Sequence, residues 1–457
     1  MGNPICAEVA LPVPVRWTFE YALPAAVSTL RPGTRVRVVH GGRSLVGTVV
    51  AVRPRAAAAK PRTLQTIAKV LDAEPALPER LVAVLVDAAR DTLSALGLAL
   101  AAALPAGTLP SSVPRLALTA GGRRALERNE APGALRTMLQ ELAERPLGES
   151  TLKRRFAEAA SLLERCIRLG WIERAKHTEP ARARPRTERV YALEEGLDVD
   201  ALRASLRRFP ARLALLEKLR HAPVSLPASA ALRAARSDGW VRVEEREVLR
   251  APAAEALAPA EEAPPTLTPH QERAVEAVGR AIAEHAARTF LLYGITGSGK
   301  TEVYLHAAAR ALALGRAVIA LVPEISLTHQ VVDRFRARFG DRIAVLHSGL
   351  GAGERFDQWR QIQRGAHAIA IGARSAIFAP FVDVGLIVID EEHDSAYHSE
   401  DTFHYDARAV AERLARAHGC PLLMGSATPD IGTAHRAQRG EIERLVLPER
   451  VAQRPLP

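Results

Sequence analysis

Residues 289–301, TFLLYGITGSGKT, constrain this chain more than any other stretch. Phe290 to Tyr293 is an apolar run too short for a core helix and suited to a buried strand. Gly294, Thr296, Gly297, Ser298 and Gly299 follow, then Lys300 and Thr301, so every fixed position of the pattern G-x-x-x-x-G-K-S/T is filled. Glycines let a backbone turn with positive φ and bring its N–H groups against phosphate oxygens. A helix starting near Lys300 points its positive end at the same anion. Lys300 would neutralise the β- and γ-phosphates, and the Thr301 hydroxyl would ligate Mg²⁺. Strand, loop and helix stand in the order that a phosphate-binding loop requires.

From Thr266 onward, strand-length apolar runs alternate with helical stretches, the pattern of a parallel α/β sheet. The runs are 290–293, 317–322, 343–347, 368–371, 386–390 and 422–426. Ligand-binding residues of such sheets gather at the carboxyl ends of the strands. After LIVI comes Asp390-Glu391-Glu392-His393. An acidic pair leaving a buried strand suits a Walker B site, with Asp390 holding Mg²⁺ and Glu391 orienting and deprotonating the attacking water. Gly425-Ser426-Ala427-Thr428-Pro429 follows the next strand, where the hydroxyls of Ser426 and Thr428 can hydrogen-bond the acidic motif, and these two with His393 would couple nucleotide state to DNA. Gln271, in LTPHQERA ahead of the first strand, can read an adenine edge with its amide.

The residues before Thr266 divide by composition and pattern. Residues 1–105 read as a β-rich module: RVRVVH (35–40) alternates like a half-buried strand, and Gly41-Gly42 turns it into LVGTVVAV (45–52). A single helix is expected over Asp87 to Leu104. Residues 115–250 hold an echo. Short helices run to GWIER (170–174) and a basic tract with Lys176, Arg182, Arg184, Arg186 and Arg189; further helices run to GWVRVEEREVLR (239–250). Helices followed by a Gly-Trp strand and a charged hairpin outline a winged-helix unit, an outline met twice here, with Trp171 and Trp240 as core anchors. Residues 251–265 are Ala, Pro and Glu except for Leu257, a linker composition.

The charge balance, 62 Lys+Arg against 51 Asp+Glu, favours a polyanionic partner such as nucleic acid. Cys6, Cys166 and Cys420 form no C-x-x-C pair, so neither a disulfide framework nor a zinc site is expected from them, and a cytoplasmic setting fits. No apolar run reaches the length of about 18 residues that spans a membrane, so no membrane partner is expected.

In this order, GITGSGKTEVYL (294–305), LVPEISLTHQ (321–330), HSGL (347–350), IGARSAIFAPF (371–381), VIDEEHDSAYH (388–398) and GSATPD (425–430) resemble helicase superfamily 2. More narrowly, they resemble its primosomal, replication-restart family. VALPVPVRWTFEYALP (9–24) and GTRVRVVHGG (33–42) resemble that family's 3′-end-binding domain. The resemblance implies a RecA-like lobe over 266–457, ATP and Mg²⁺ as cofactors, and 3′→5′ unwinding of forked DNA during primosome assembly. It implies replication-restart and single-strand-binding proteins as partners, and a cytoplasmic, nucleoid-associated location. It further implies that Arg374 and Ser375 contact the tracking strand and that Phe403 and Tyr405 belong to an aromatic-rich coupling loop. Phe19, Glu20, Tyr21 and Gly41 fall in the 3′-end pocket, where Glu20 stands for the family's Asp and Gln65 for a Lys.

The family continues into a cysteine-rich zinc module and a second lobe carrying an arginine finger, which is worth roughly 10³–10⁵ in rate. Neither precedes Pro457, so zinc is expected only in a missing C-terminal half. These residues alone are expected to bind ATP weakly, barely hydrolyse it and leave DNA paired. A fragment is the favoured reading over a natural truncation. The alternative from another class is a non-catalytic fork-DNA scaffold for primosome assembly.

Overall fold

The computed structural model describes residues 5–450 except 25, 26, 28, 55–63, 106, 110, 132, 157–161, 180–185, 222, 249–264, 324–329 and 348. The linker at 251–264 and most of the 323–330 stretch therefore lie outside the described residues, as do Arg182 and Arg184. The chain divides into two compact units, one of 1–183 with 398–417, the other of 184–397 with 418–457.

In the first unit, strands β1 (Ile5–Ala10), β2 (Phe19–Ala22), β3 (Arg35–His40), β4 (Arg43–Pro54) and β5 (Lys69–Val70) form one sheet in the order β2-β1-β4-β3-β5. β3 and β4 pair His40 with Arg43 across Gly41 and Gly42, whose φ values of 54° and 74° are those of a type I′ hairpin turn. Alternate residues Ala7, Val9, Val36, Val38 and Val49 fill its core. The single helix expected over 87–104 is instead two, Glu79–Asp91 and Leu96–Ala102. The Thr92 hydroxyl donates to the Ala88 carbonyl at 2.9 Å and meets Ser94 Oγ at 2.8 Å, and Leu93 takes φ 54°. Hydroxyls that capture backbone groups compete with the helix ladder, and here they end it.

Among the described residues, the strands after the Gly-Trp pairs do not fold into the expected charged hairpins. In the first unit, β6 (Ser111–Leu118) precedes the helices and β7 (Ile172–Glu179) follows them, and these two pair antiparallel over their whole length. In the second unit, β8 (Arg186–Leu193) and β10 (Val241–Val248) do the same, with the short β9 (Val224–Ser225) on the other edge of β8. Each Gly-Trp strand thus finds its partner on the far side of a helical segment. Local charge pattern carries no signal for a pairing of such sequence separation. Trp240 is buried and Trp171 packs on the edge of its cluster.

The rest of the second unit is a seven-stranded sheet in the order β13-β14-β12-β15-β16-β11-β17, every pair parallel. Its strands are β11 (Thr289–Gly294), β12 (Ala317–Leu321), β13 (Ile343–Leu346), β14 (Ile369–Gly372), β15 (Val384–Ile389), β16 (Leu422–Ser426) and β17 (Glu443–Leu447). β12 and β15 are buried at every position, as strands covered on both faces must be. β17 escapes sequence reading because its apolar run is only three residues long, and the strand is mostly exposed.

One charged side chain anchors this sheet from below. Arg316, just ahead of β12, is buried and donates through Nη2 to the carbonyls of Val384 and His418, each at 2.7 Å, while its Nε reaches Asp383 at 3.2 Å. Arg316→Ala removes the guanidinium that those carbonyls accept from, which costs roughly 2 kcal/mol of unfolding free energy. Urea denaturation followed by circular dichroism checks this; a loss below about 0.5 kcal/mol, the scale of a surface change, contradicts it.

Candidate nucleotide site at the strand ends

Three motifs meet because β11, β16 and β15 are adjacent and parallel. Their carboxyl ends hold, respectively, the glycine loop, the Ser-Ala-Thr turn and the acidic motif. Gly297 and Gly299 take φ 84° and 80°, conformations that side-chain-bearing residues rarely adopt, and the helix Lys300–Ala313 starts from the second. Ser298 Oγ is buried with no hydrogen-bond partner among the described residues, a donor kept free inside the loop. Lys300 is buried; its Nζ donates to the Gly294 carbonyl at 3.0 Å and stands 3.7 Å from Glu391 Oε1. Thr301, next on the helix, is half-buried; Gly294 lies inside the fold, and Thr296 faces solvent.

At the end of β15 Asp390 is buried, and burial together with the neighbouring Glu391 charge raises its carboxyl above the ordinary value of 3.8. Glu391 takes φ 45°, an uncommon conformation for a non-glycine residue. Its carboxylate is thereby placed 3.7 Å from Lys300 Nζ and 3.6 Å from His393 Nδ1. Glu392 turns the opposite way and is fully buried. It accepts from Asp430 N at 2.8 Å and from the Thr433 hydroxyl at 3.0 Å, while its own N–H donates to Gly425 O at 3.0 Å.

His393 Nδ1 lies 2.8 Å from Ser426 Oγ, and His393 Nε2 lies 3.4 Å from Thr428 Oγ1. Thr428 N also donates to Ser426 Oγ at 3.1 Å. The acidic motif and the Ser-Ala-Thr turn are therefore one hydrogen-bonded set. The donor set fits a nucleotide with a divalent cation: an ammonium, a hydroxyl, a carboxylate and a glycine cradle within one crevice.

Other expectations meet different surroundings. Gln271 is buried, with its Nε2 donating to Ser298 O at 3.0 Å and its Oε1 accepting from Thr268 N at 2.8 Å as part of a helix capping box. Its amide holds the glycine loop rather than presenting an open edge to adenine. Phe403 and Tyr405 are buried and stack on each other at 4.8 Å, so they offer no free ring face to a base in this conformation. Arg374 and Ser375 open a 3₁₀ turn after β14, with Ser375 exposed.

In the N-terminal sheet, Phe19 lies with its ring 4.3 Å from that of His40, and the Tyr21 hydroxyl meets Val39 O and His40 Nδ1, each at 3.4 Å. These two gather around His40, the residue before Gly41 in the chain, whereas the strand pleat sends Glu20 to the other face, opposite Glu8. Sequence reasoning missed Tyr304, Tyr397 and Glu392, buried polar groups whose only signal was their place beside the motifs. It also missed Arg450, whose Cγ is 3.9 Å from where a Cβ on Gly297 would sit.

A raised carboxyl signals a charge held at a cost to folding. Asp390 ionises more readily in the unfolded chain, so stability falls as pH rises from 3.8 through its folded value and then stays flat. Asp390→Asn removes that penalty. The nucleotide-free variant is expected to melt a few degrees higher at pH 7, and the gain is expected to vanish below pH 3.8. Calorimetry across pH tests this; a variant less stable at pH 7 overturns the sign.

Similarity to known proteins follows the same division of the chain. The DEAD/DEAH box helicase family matches residues 268–437, and the 3′DNA-binding domain (3′BD) family matches residues 8–105. Replication restart protein PriA of Bacillus subtilis (strain 168) is 34% identical over 461 residues, covering 96% of this chain and 55% of that protein. Its counterpart in Treponema pallidum (strain Nichols) is 49% identical over 186 residues, covering 41% of this chain and 28% of that protein. The chain spans at most about half the length of these curated relatives. Carrying both matched domains and related along nearly its whole length, the chain belongs to the PriA family of replication restart proteins.

Proposed function

We propose that this chain is the DNA-binding and first motor portion of an ATP-dependent helicase that moves 3′→5′ at stalled forks to restart replication. The observation that carries the reading is the meeting of Lys300, Asp390–His393 and Ser426–Thr428 at adjacent strand ends. The assigned segments are 1–105 for 3′-end binding, 115–250 as winged-helix-like, 251–265 as linker and 266–457 as the RecA-like lobe. DNA is the partner, forked, single-stranded or ending in a free 3′-OH, in the cytoplasm with restart and single-strand-binding proteins.

Within the lobe, Lys300 neutralises the terminal phosphates while backbone N–H groups of Gly294 to Thr301, with Ser298 Oγ, cradle them. Thr301 and Asp390 would hold Mg²⁺, which when bound offsets charge between the phosphate oxygens. Glu391 is the base: half-exposed at the mouth of the site, it exchanges its contact with Lys300 for a water molecule once phosphate takes the lysine. His393 carries the state of Glu391, 3.6 Å away, to Ser426 and Thr428, and so to the turn entering the helix Ile431–Gln438. On the DNA side, Arg374 and Ser375 grip the tracking strand, with Phe19, Tyr21 and Gly41 at the 3′ end. Phe403 and Tyr405 contribute only after their loop opens. Glu20, on the opposite face, requires a local rearrangement to meet a terminal hydroxyl.

Lys300→Ala tests the division of labour. Fluorescent ATP-analogue binding is expected to disappear, while fork-DNA affinity by anisotropy stays within about twofold of the parent. Fork affinity is expected to fall with salt at roughly 0.7 log units per log unit for each single-strand phosphate neutralised. Collapse of fork binding in the variant, or a flat salt response in the parent, contradicts the reading.

A further inference from the structure

Between the glycine loop and the acidic strand end stands a phenol that neither motif includes. Tyr304 is three residues beyond Thr301 in the helix Lys300–Ala313, so both lie on one face of it. Its side chain is fully enclosed, and its hydroxyl donates to Asp390 Oδ1 at 2.9 Å. A buried tyrosine needs a partner for its hydroxyl, and here that partner is the carboxylate at the end of β15.

The strand between them has been cleared for this contact. A Cβ on Gly425 of β16 would lie 1.6 Å from the Tyr304 hydroxyl, so any side chain there displaces the phenol. From another direction the Tyr397 hydroxyl donates to the main-chain carbonyl of Asp390 at 2.6 Å, fixing the backbone while Tyr304 fixes the side chain. An ordinary core position would be served by phenylalanine. The glycine and the paired hydroxyls make sense if the orientation of Asp390 matters.

We propose that Tyr304 is a positioning residue for Asp390 as a divalent-cation ligand: by occupying Oδ1 it sets the carboxylate rotamer and leaves Oδ2 to the hydrated cation. This rests on the reading of Asp390 given above. It joins Thr301 and Asp390, the two groups that would hold the ion, through one helical turn and one hydrogen bond.

The test uses this chain, a fluorescent non-hydrolysable ATP analogue, and titration of Mg²⁺ from an EDTA baseline. Tyr304→Phe is expected to leave analogue affinity in EDTA within about twofold, which also reports that the variant is folded. It is expected to raise the Mg²⁺ concentration at half-response by about tenfold, near the low end of what losing a hydrogen bond to a charged group costs. Gly425→Ala, which pushes the phenol aside, is expected to raise it similarly and carries the test if Tyr304→Phe does not fold. An unchanged Mg²⁺ midpoint in whichever variant folds overturns the proposal, as does an equal loss with and without Mg²⁺, the mark of a merely structural role. Asp390→Asn separates the two levels. If it keeps the full Mg²⁺ response, the assignment of Asp390 fails; if it loses the response while Tyr304→Phe retains it, only the role of Tyr304 fails.

Discussion

Opposite charges held at the rim of an apolar sheet set the terms for the second unit. Lys300 and Asp390 are both buried, and neither would tolerate that position alone, because an isolated ion removed from water is driven to neutralise. Each is tied down by oxygen or hydroxyl partners: Gly294 O and Glu391 for the lysine, Tyr304 for the aspartate. The price is visible in the raised Asp390 carboxyl and in the left-handed backbone at Glu391. Such strain persists only where surrounding structure over-determines it, and here the surroundings are strands buried on both faces.

Around that pair the polar groups divide into those that bind and those that brace. Glu392 is adjacent in sequence to Glu391 yet has the opposite character. It is sealed from solvent and spends its acceptors on Asp430 N and Thr433 Oγ1, locking the start of the following helix to the strand end. Gln271 braces likewise, joining its helix cap to the back of the glycine loop. A buried polar network of this kind rigidifies when every member is satisfied. Groups left for a ligand, such as Ser298 Oγ and the half-exposed Glu391 carboxylate, then stand out against it.

Much of this could be read from residue order. The buried strands of the lobe announced themselves as apolar runs, since a strand covered on both faces must be apolar throughout. The glycine loop and the acidic motif were legible because phosphate and cation chemistry admits few residue types. Less local features were not. The apolar run of β17 is too short to register as a strand, and the helix break at Leu93 turns on the hydroxyls of Thr92 and Ser94. The strands flanking each helical segment of the middle region pair across it rather than folding into local hairpins.

By itself the sequence determined which residue types stand where phosphate and cation chemistry would need them: glycines that bend, a lysine that can neutralise and carboxylates that can attract a cation. The tertiary structure alone decided which side chains reach one another. It turned Gln271, Phe403 and Tyr405 inward, sent Glu20 to the face away from Phe19 and Tyr21, and brought Tyr304 to Asp390 past a glycine 121 positions further along the chain. The reason is that residue type sets what a group can bind, whereas burial and pairing are properties of neighbours supplied by distant segments, and those neighbours exist only once the sheet has formed.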